Sequence, residues 1–275
     1  MSLEIDVVMI TKNSVTQFEE PTLFNKVLNS IFQQVPVHKL IVVDGYSTDD
    51  TMKIVKKYTP YLIQDARGRG KGREIGIRQV ETEWFAFIDS DVILCPNWFK
   101  EIRRSINPKA GAIHGLVLPH KYSLDFCRSM AFLRSEKLEQ YLLHQQSKVA
   151  MTMALLIRTE LVKDISIPAD LHVREDKYIR NWIENRGYNY LVSSSAKCWN
   201  VPRQKNFKDK GFQDGILSRR YNYIDEKTVW RNATLAFPKA LWTILYTRDA
   251  LSAKDHLDWY LYWLRGYYYE KHRNS

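Results

Sequence analysis

Glu83-Trp84-Phe85-Ala86-Phe87-Ile88-Asp89-Ser90-Asp91 is a short apolar run that stops on two carboxylates separated by one residue. Such a run predicts a buried strand, and the carboxylates then stand at its end. Carboxylate oxygens suit hard divalent cations, and Mg²⁺ or Mn²⁺ is commonly shared with substrate phosphates. The same triplet also makes an ordinary turn, so its weight depends on what precedes it.

What precedes it alternates. Residues 6–11 are a short β-branched run, and residues 21–34 carry Leu23, Val27, Leu28, Ile31 and Phe32 at helical spacing. Residues 40–43 form a second buried run, closed by Asp44-Gly45. Residues 48–58 predict a helix with Ser47 or Thr48 as N-cap and Asp49 and Asp50 in its first turn. Residues 61–64 read as a third strand, 67–72 as a glycine and arginine loop, and 73–80 as a helix. Strand and helix in this order imply right-handed crossovers and a mainly parallel sheet. Ligands of such sheets bind beyond the carboxyl ends of the strands. Thr11, Asp44 and Asp89 each stand at such an end, so three polar groups converge on one edge.

Three further segments can carry chemistry. In Asp44-Gly45-Tyr46-Ser47-Thr48-Asp49-Asp50 a carboxylate at a strand end can accept from a base N–H or a ribose hydroxyl; Asp49 and Asp50 read as capping residues. Arg67-Gly68-Arg69-Gly70-Lys71-Gly72-Arg73 interleaves basic residues with glycine and can wrap a diphosphate. It lacks the order of a P-loop and otherwise reads as a solvated loop. His172-Val173-Arg174-Glu175-Asp176 opens a helix, where acids are either caps or a general base.

Beyond Asp91 the pattern loosens. Helices are expected over 97–105, 124–145 and 176–185, the last ending at Gly187 as a C′ glycine, and strands over 112–118, 150–157 and 188–193. Residues 203–231 are basic and weakly periodic and read as a surface loop or lid; residues from 239 onward are aromatic and helical. Two domains are expected, an α/β one over 1–200 and a basic loop with helical extension over 201–275. In the extension, Leu257, Tyr260, Leu261, Leu264 and Tyr268 form one helical stripe and Trp259, Tyr262 and Trp263 another. One stripe docks the helix; the second predicts an outside partner. With Lys254, Arg265, Lys271 and Arg273 nearby, two near-continuous helices, from about Leu235 and Asp255, are expected to meet an anionic membrane surface, with a second copy of the chain as the alternative.

The chain has 275 residues, 45% hydrophobic and 26% charged, which suits a folded globular protein. Its net charge of +10 points to an anionic partner. Three cysteines without a CxxC pair argue against a disulfide framework or a cysteine zinc site and fit a reducing compartment. No signal peptide and no apolar run of membrane-spanning length is visible, so the expected place is the cytoplasm, including the inner face of the membrane.

The ordered set Ile10-Thr11-Lys12-Asn13, Val27-Leu28-Asn29-Ser30-Ile31-Phe32-Gln33-Gln34, Val43-Asp44-Gly45-Tyr46-Ser47-Thr48-Asp49, Gly72-Arg73-Glu74-Ile75-Gly76-Ile77, Ile88-Asp89-Ser90-Asp91 and Glu175-Asp176 resembles the family-two inverting glycosyltransferases with a GT-A fold. The resemblance implies an α/β, Rossmann-like, mainly parallel sheet flanked by helices, here with a helical aromatic C-terminal extension. It implies transfer of one sugar from a nucleoside-diphosphate-sugar donor to a glycan or lipid-linked acceptor, with Mg²⁺ or Mn²⁺. Carried over by position, Thr11 and Lys12 would line the nucleotide, Asp44 the nucleoside, and Lys71 and Arg73 the diphosphate. Asp89 would face ribose or metal, Asp91 would ligate the metal, and Asp176 would be the catalytic base. Gly45 stands where many members carry a second aspartate, and Glu74 where they carry asparagine. No QxxRW signature of processive synthases appears, which favours single-sugar transfer.

Two alternatives stay open. A nucleotidyltransferase uses a similar sheet and metal but releases pyrophosphate. A non-catalytic basic protein would bind nucleic acid or membrane; no helix-turn-helix, RRM or zinc-finger pattern supports the nucleic-acid version, and none is expected as a partner.

Overall fold

The computed structural model describes residues 4–18, 20, 22–118, 136–201, 207–247 and 250–273. The chain divides into two compact units, Met1–Asp170 with Glu175–Gln204, and Leu171–Arg174 with Lys205–Ser275.

The first unit holds strands β1 (Ile5–Thr11), β2 (Val37–Asp44), β3 (Leu62–Gln64), β4 (Trp84–Ile88), β5 (Val92–Leu94), β6 (Ala110–Leu118), β7 (Ala154–Arg158) and β8 (Asn189–Asn200). Its helices are α1 (Thr22–Gln34), α2 (Thr51–Val55), α3 (Arg69–Gln79), α4 (Trp98–Ile102), α5 (Glu136–Ser147) and α6 (Glu175–Glu184). The strands form one sheet in the order β3-β2-β1-β4-β7-β6-β8-β5. β3, β2, β1 and β4 are mutually parallel; β7 runs against both β4 and β6, and β5 against β8. The sheet is therefore mixed, with its parallel half at the N-terminus, where the sequence alternation is clearest.

Strand parity places the layers. Ile5, Val7 and Met9 of β1, Leu40 and Val42 of β2, and Trp84, Ala86 and Ile88 of β4 share one core with Phe24, Val27, Leu28 and Ile31 of α1 and Trp98, Phe99 and Ile102 of α4. Their alternate neighbours face the other side, where α3 lies. α3 sits close because of Gly76: a Cβ there would come within 2.3 Å of Val8 Cγ1. On that second face Val8, Phe87, Leu155, His114 and Val192 are paired in succession across β1, β4, β7, β6 and β8.

β5, which the sequence did not predict, follows Asp91 at once yet pairs at the far edge of the sheet. Four residue steps from Ile88 to Val92 reach about 14 Å at most, whereas four strand spacings in a flat sheet take about 19 Å. The sheet must therefore bend back. The register jump between Gly115↔Ser193 and Leu116↔Lys197 in the β6–β8 pair is the irregularity that permits it.

Other differences are local. The expected helix over 48–58 is only Thr51–Val55. The expected glycine and arginine loop is the first turn of α3, which begins at Arg69. Of the long helix expected over 124–145, residues up to 135 lie outside the described part, and Glu136–Ser147 is helical. Gly187 takes φ 79°, as a C′ glycine requires. Contrary to the cysteine count, Cys95 is disulfide-bonded, while Cys198 is a buried free thiol.

The second unit contains α7 (Phe207–Arg220), α8 (Glu226–Thr247) and α9 (Ala250–Arg273). The basic stretch expected as a loop is thus mostly helix; Arg203 and Lys205 lie outside the described residues. α9 does not need an outside partner for its second aromatic side. α7 supplies one through Gly211 and Gly215: a Cβ on Gly215 would stand 2.1 Å from the Trp263 carbonyl oxygen, and one on Gly266 would stand 2.0 Å from that of Phe212. Backbones this close bury Trp263 and Tyr267 to 1% exposure. Arg174, at φ 68°, pairs through both carboxylate oxygens with Asp214 of α7. No described helix is long and apolar enough to cross a membrane.

Candidate active site

The loops leaving β1 and β2 are stitched together by side chains. Thr11 and Asp44 are register partners at the two strand ends. Asp44 is fully buried; its carboxylate accepts from the Ser47 amide at 2.8 Å and from the Ser47 hydroxyl, closing a turn in which Tyr46 takes φ 59°. Asn13 Oδ1 accepts from the Thr48 amide at 2.7 Å, and Asp49 Oδ2 accepts from the Val15 and Thr16 amides at 3.1 and 2.9 Å. Asp49 also accepts from the Thr51 amide at 3.0 Å, whereas the N-cap of α2 is Asp50, without a side-chain cap hydrogen bond, and not the expected Ser47 or Thr48, because the helix starts only at Thr51. Burial opposes the Asp49 charge, but its hydrogen bonds with Thr51 and Thr16 outweigh this and hold its pKa below the ordinary carboxylate value. Lys12 is exposed on the same edge, its stem 3.1 Å from where a Cβ on Gly45 would lie.

A chain of buried hydroxyls joins this edge to the aspartate triplet. Thr11 Oγ1 is 2.7 Å from Ser14 Oγ, which is 2.9 Å from Ser90 Oγ. Asp89 and Asp91 flank Ser90. The Asp89 side chain keeps 25% exposure, whereas Asp91 is buried to 7%, its carbonyl accepting from the Val201 amide at 2.7 Å.

Asp89 follows Phe85 and Phe87 in strand parity and so faces α3. There Arg73, 1% exposed, lies 4.8 Å over the Phe87 ring and donates from Nη2 to Asp89 Oδ1 at 2.9 Å. Its Nε donates to Glu175 Oε1 at 3.5 Å, at the start of α6. Burial works against this cation, but Asp89 and Glu175, with Asp176 adding to them, hold its pKa above the ordinary arginine value. Arg73 therefore ties the strand end to the helix that carries the acidic pair. Within that pair the roles divide: Glu175 is buried to 4%, while Asp176 is half-buried and close enough to the Tyr190 hydroxyl to oppose its ionisation. Burial is the larger reason that the Tyr190 pKa is raised.

Lys71, in the first turn of α3, pairs with Glu74 at 2.7 Å. Glu74, where relatives were expected to carry asparagine, also accepts from Arg78 at 3.2 Å and from the Ile167 amide at 2.8 Å. Burial raises its pKa, but Lys71 and these donors leave it lowered.

His114 was not singled out by sequence. It is fully buried on the same sheet face as Phe87, and neither ring nitrogen has a hydrogen-bond partner. Burial pushes its pKa down to about 3 despite the attraction of Asp89 and the nearby Gly115 backbone, which is too poorly placed to count as a full hydrogen bond. Its only sequence signal is a histidine inside an otherwise apolar strand.

Two carboxylates one residue apart, one of them partly open, suit a cation of the Mg²⁺ type, which takes one or two protein carboxylates and fills its remaining positions with water and substrate phosphates. Among the described residues no group of three His, Cys, Asp or Glu is placed to hold a metal ion.

The family model for glycosyl transferase family 2 matches residues 6–166. Poly(ribitol-phosphate) beta-N-acetylglucosaminyltransferase TarS of Staphylococcus aureus is 26% identical over 184 residues, which covers 64% of this chain and 31% of that protein. The chain thus spans about a third of the length of the curated relatives it matches. Among solved structures, the mannosyltransferase PcManGT from Pyrobaculum calidifontis, in complex with GDP-Man and Mn²⁺, matches with a TM-score of 0.55 and 16% identity, covering 100% of this chain and 77% of that one. Glucosyl-3-phosphoglycerate synthase from Mycobacterium tuberculosis, in complex with Mn²⁺, UDP and glucosyl-3-phosphoglycerate, matches with a TM-score of 0.53 and 15% identity over 82% of each chain. At these identities the structural likeness shows the shared GT-A fold. Because the family model covers more than half of the sequence, including the strand ends at Thr11, Asp44 and Asp89, the chain belongs to glycosyl transferase family 2.

Proposed function

We propose that this chain transfers one sugar from a nucleoside-diphosphate-sugar to an acceptor hydroxyl or lipid phosphate, with inversion, using Mg²⁺ or Mn²⁺. The observation that carries this reading is the Arg73 bridge. It brings Asp89, beside Asp91, next to the helix start at Glu175-Asp176, so metal-ligand candidates and a base candidate share one edge.

In this reading Asp89 and Asp91 hold the metal, which when bound would offset charge on the leaving diphosphate. Thr11, Lys12 and Asp44 line the nucleoside side. Lys71 and the N-terminal end of α3 face the diphosphate, where a helix N-terminus favours anions. Arg73 acts through Asp89, holding that carboxylate in one orientation, and its Nη1 is buried without a hydrogen-bond partner. Glu175 is committed to Arg73, so Asp176 is the base that takes the acceptor hydroxyl proton as the oxygen attacks the anomeric carbon. A phosphate acceptor is already ionised and needs that help less. The net charge of +10 favours acceptors that bear phosphate, in keeping with the phosphate in the names of the similar TarS and glucosyl-3-phosphoglycerate synthase.

A donor screen tests the proposal: UDP- and GDP-sugars with Mg²⁺ or Mn²⁺, read by free nucleoside diphosphate. Release that depends on the metal supports it. Pyrophosphate release from a nucleoside triphosphate and a sugar phosphate would identify a nucleotidyltransferase instead.

A further inference from the structure

α8 carries two apolar stripes offset by one residue, about 100° around the helix. Val229, Ala236 and Ala240 form the first and are buried, Val229 against Trp263 and Tyr267 of α9. Trp230, Phe237 and Leu241 form the second and are 53%, 70% and 50% exposed. Leu235 adds 43% exposure on the open side of the helix. Trp230 packs at its edge against Tyr268 of α9, ring centroids 5.9 Å apart, but a single stripe suffices to dock a helix, which leaves Phe237 and Leu241 exposed beyond what docking needs.

We propose that this open face of α8 rests on an anionic membrane surface. From Lys227 to Arg248 the sequence contains Lys227, Arg231, Lys239 and Arg248 and not one acidic residue. Lys227 and Arg231 are exposed beside the stripe. Trp, Phe and Leu flanked by basic residues suit the boundary between acyl chains and headgroups. The helix is not apolar enough to cross the bilayer, so it lies on it. Glu226, the first residue of α8, is bonded to Tyr268 and Lys271 of α9, so a twofold contact through the stripe would set Lys227 and Arg231 against their copies while the helix's own acid is already paired. Pro238 lies in this helix and is exposed. A proline cannot donate to the Thr234 carbonyl one turn earlier, and that group finds hydrogen bonds in a wet headgroup layer more readily than in a dry protein interface.

The test is co-sedimentation of the full chain with phosphatidylcholine vesicles, with and without phosphatidylglycerol. Binding is expected to the phosphatidylglycerol vesicles at low salt and to weaken as salt rises. Phe237→Glu with Leu241→Glu should lower the partition constant by at least about tenfold, since two apolar anchors are lost. Lys227→Gln with Arg231→Gln, which leaves the stripe intact, should weaken binding to the anionic vesicles alone by roughly tenfold or more. Circular dichroism of each variant checks the fold. Wild type that remains in the supernatant with both vesicle types at low salt overturns the proposal. So does a wild-type dimer, seen by light scattering, that the Phe237→Glu, Leu241→Glu variant dissolves while no vesicle binding is found. Neither readout depends on sugar transfer.

Discussion

A guanidinium at 1% exposure has to be matched by negative charge, and at Arg73 the match is Asp89 and Glu175. Arg73→Met would leave two carboxylates without their counter-ion; we expect a loss of about 3 kcal/mol in urea unfolding, with Arg73→Lys in between. Asp176→Asn tests the neighbouring role. It should lower kcat by about 10²–10⁴ with an acceptor hydroxyl, while the Kd for donor, measured by calorimetry, stays unchanged. Loss of donor affinity would make Asp176 a structural residue. His114 gives a pH dependence. Its pKa is about 3 in the folded protein against an ordinary 6.5, so between these values the unfolded chain takes up a proton that the folded chain refuses. Stability is therefore full above pH 6.5 and falls as the pH drops, at about 1.4 kcal/mol per pH unit. His114→Leu should flatten that part of the profile, seen as a smaller difference in urea midpoint between neutral and mildly acid solution.

At the scale of elements, glycine decides which helices come close. Gly76 lets α3 rest on Val8 and so sets the depth at which Arg73 enters. Gly211, Gly215 and Gly266 do the same between α7 and α9, backbone to backbone. Gly215→Ala would push its Cβ into the Trp263 carbonyl, which is not the movable end of a side chain; the expected cost is about 1–3 kcal/mol, read as a lower Tm with unchanged helix content. The helical spacing of the α9 aromatics was legible in the sequence. Which side would be covered was not, because the cover comes from glycines roughly fifty residues earlier that a periodicity argument treats as gaps.

For the molecule as a whole, ligands that bind only the folded state raise its stability by mass action. UDP or GDP with Mn²⁺ should raise the Tm, by about 2.7 kcal/mol of added stability at a ligand concentration one hundred times Kd, and EDTA should remove the metal-dependent part. Asp91→Asn should keep its own Tm near wild type and lose most of that gain; an equal response to Mn²⁺ would take Asp91 out of the metal site. The sequence alone determined the parallel half of the sheet and the strand-end positions of Thr11, Asp44 and Asp89. Those depend on short apolar runs and turn residues, which act over a few neighbours. It also fixed Glu175 and Asp176 at a helix start, for the same local reason. Only the tertiary structure decided that the sheet bends back to admit β5, that Arg73 joins Asp89 to Glu175, and that Trp263 and Tyr267 of α9 are covered while Phe237 and Leu241 of α8 stay open. Each of these is a pairing between segments far apart in the chain, set by strand parity and close backbone approach once the layers assemble, and no local pattern encodes which partner arrives.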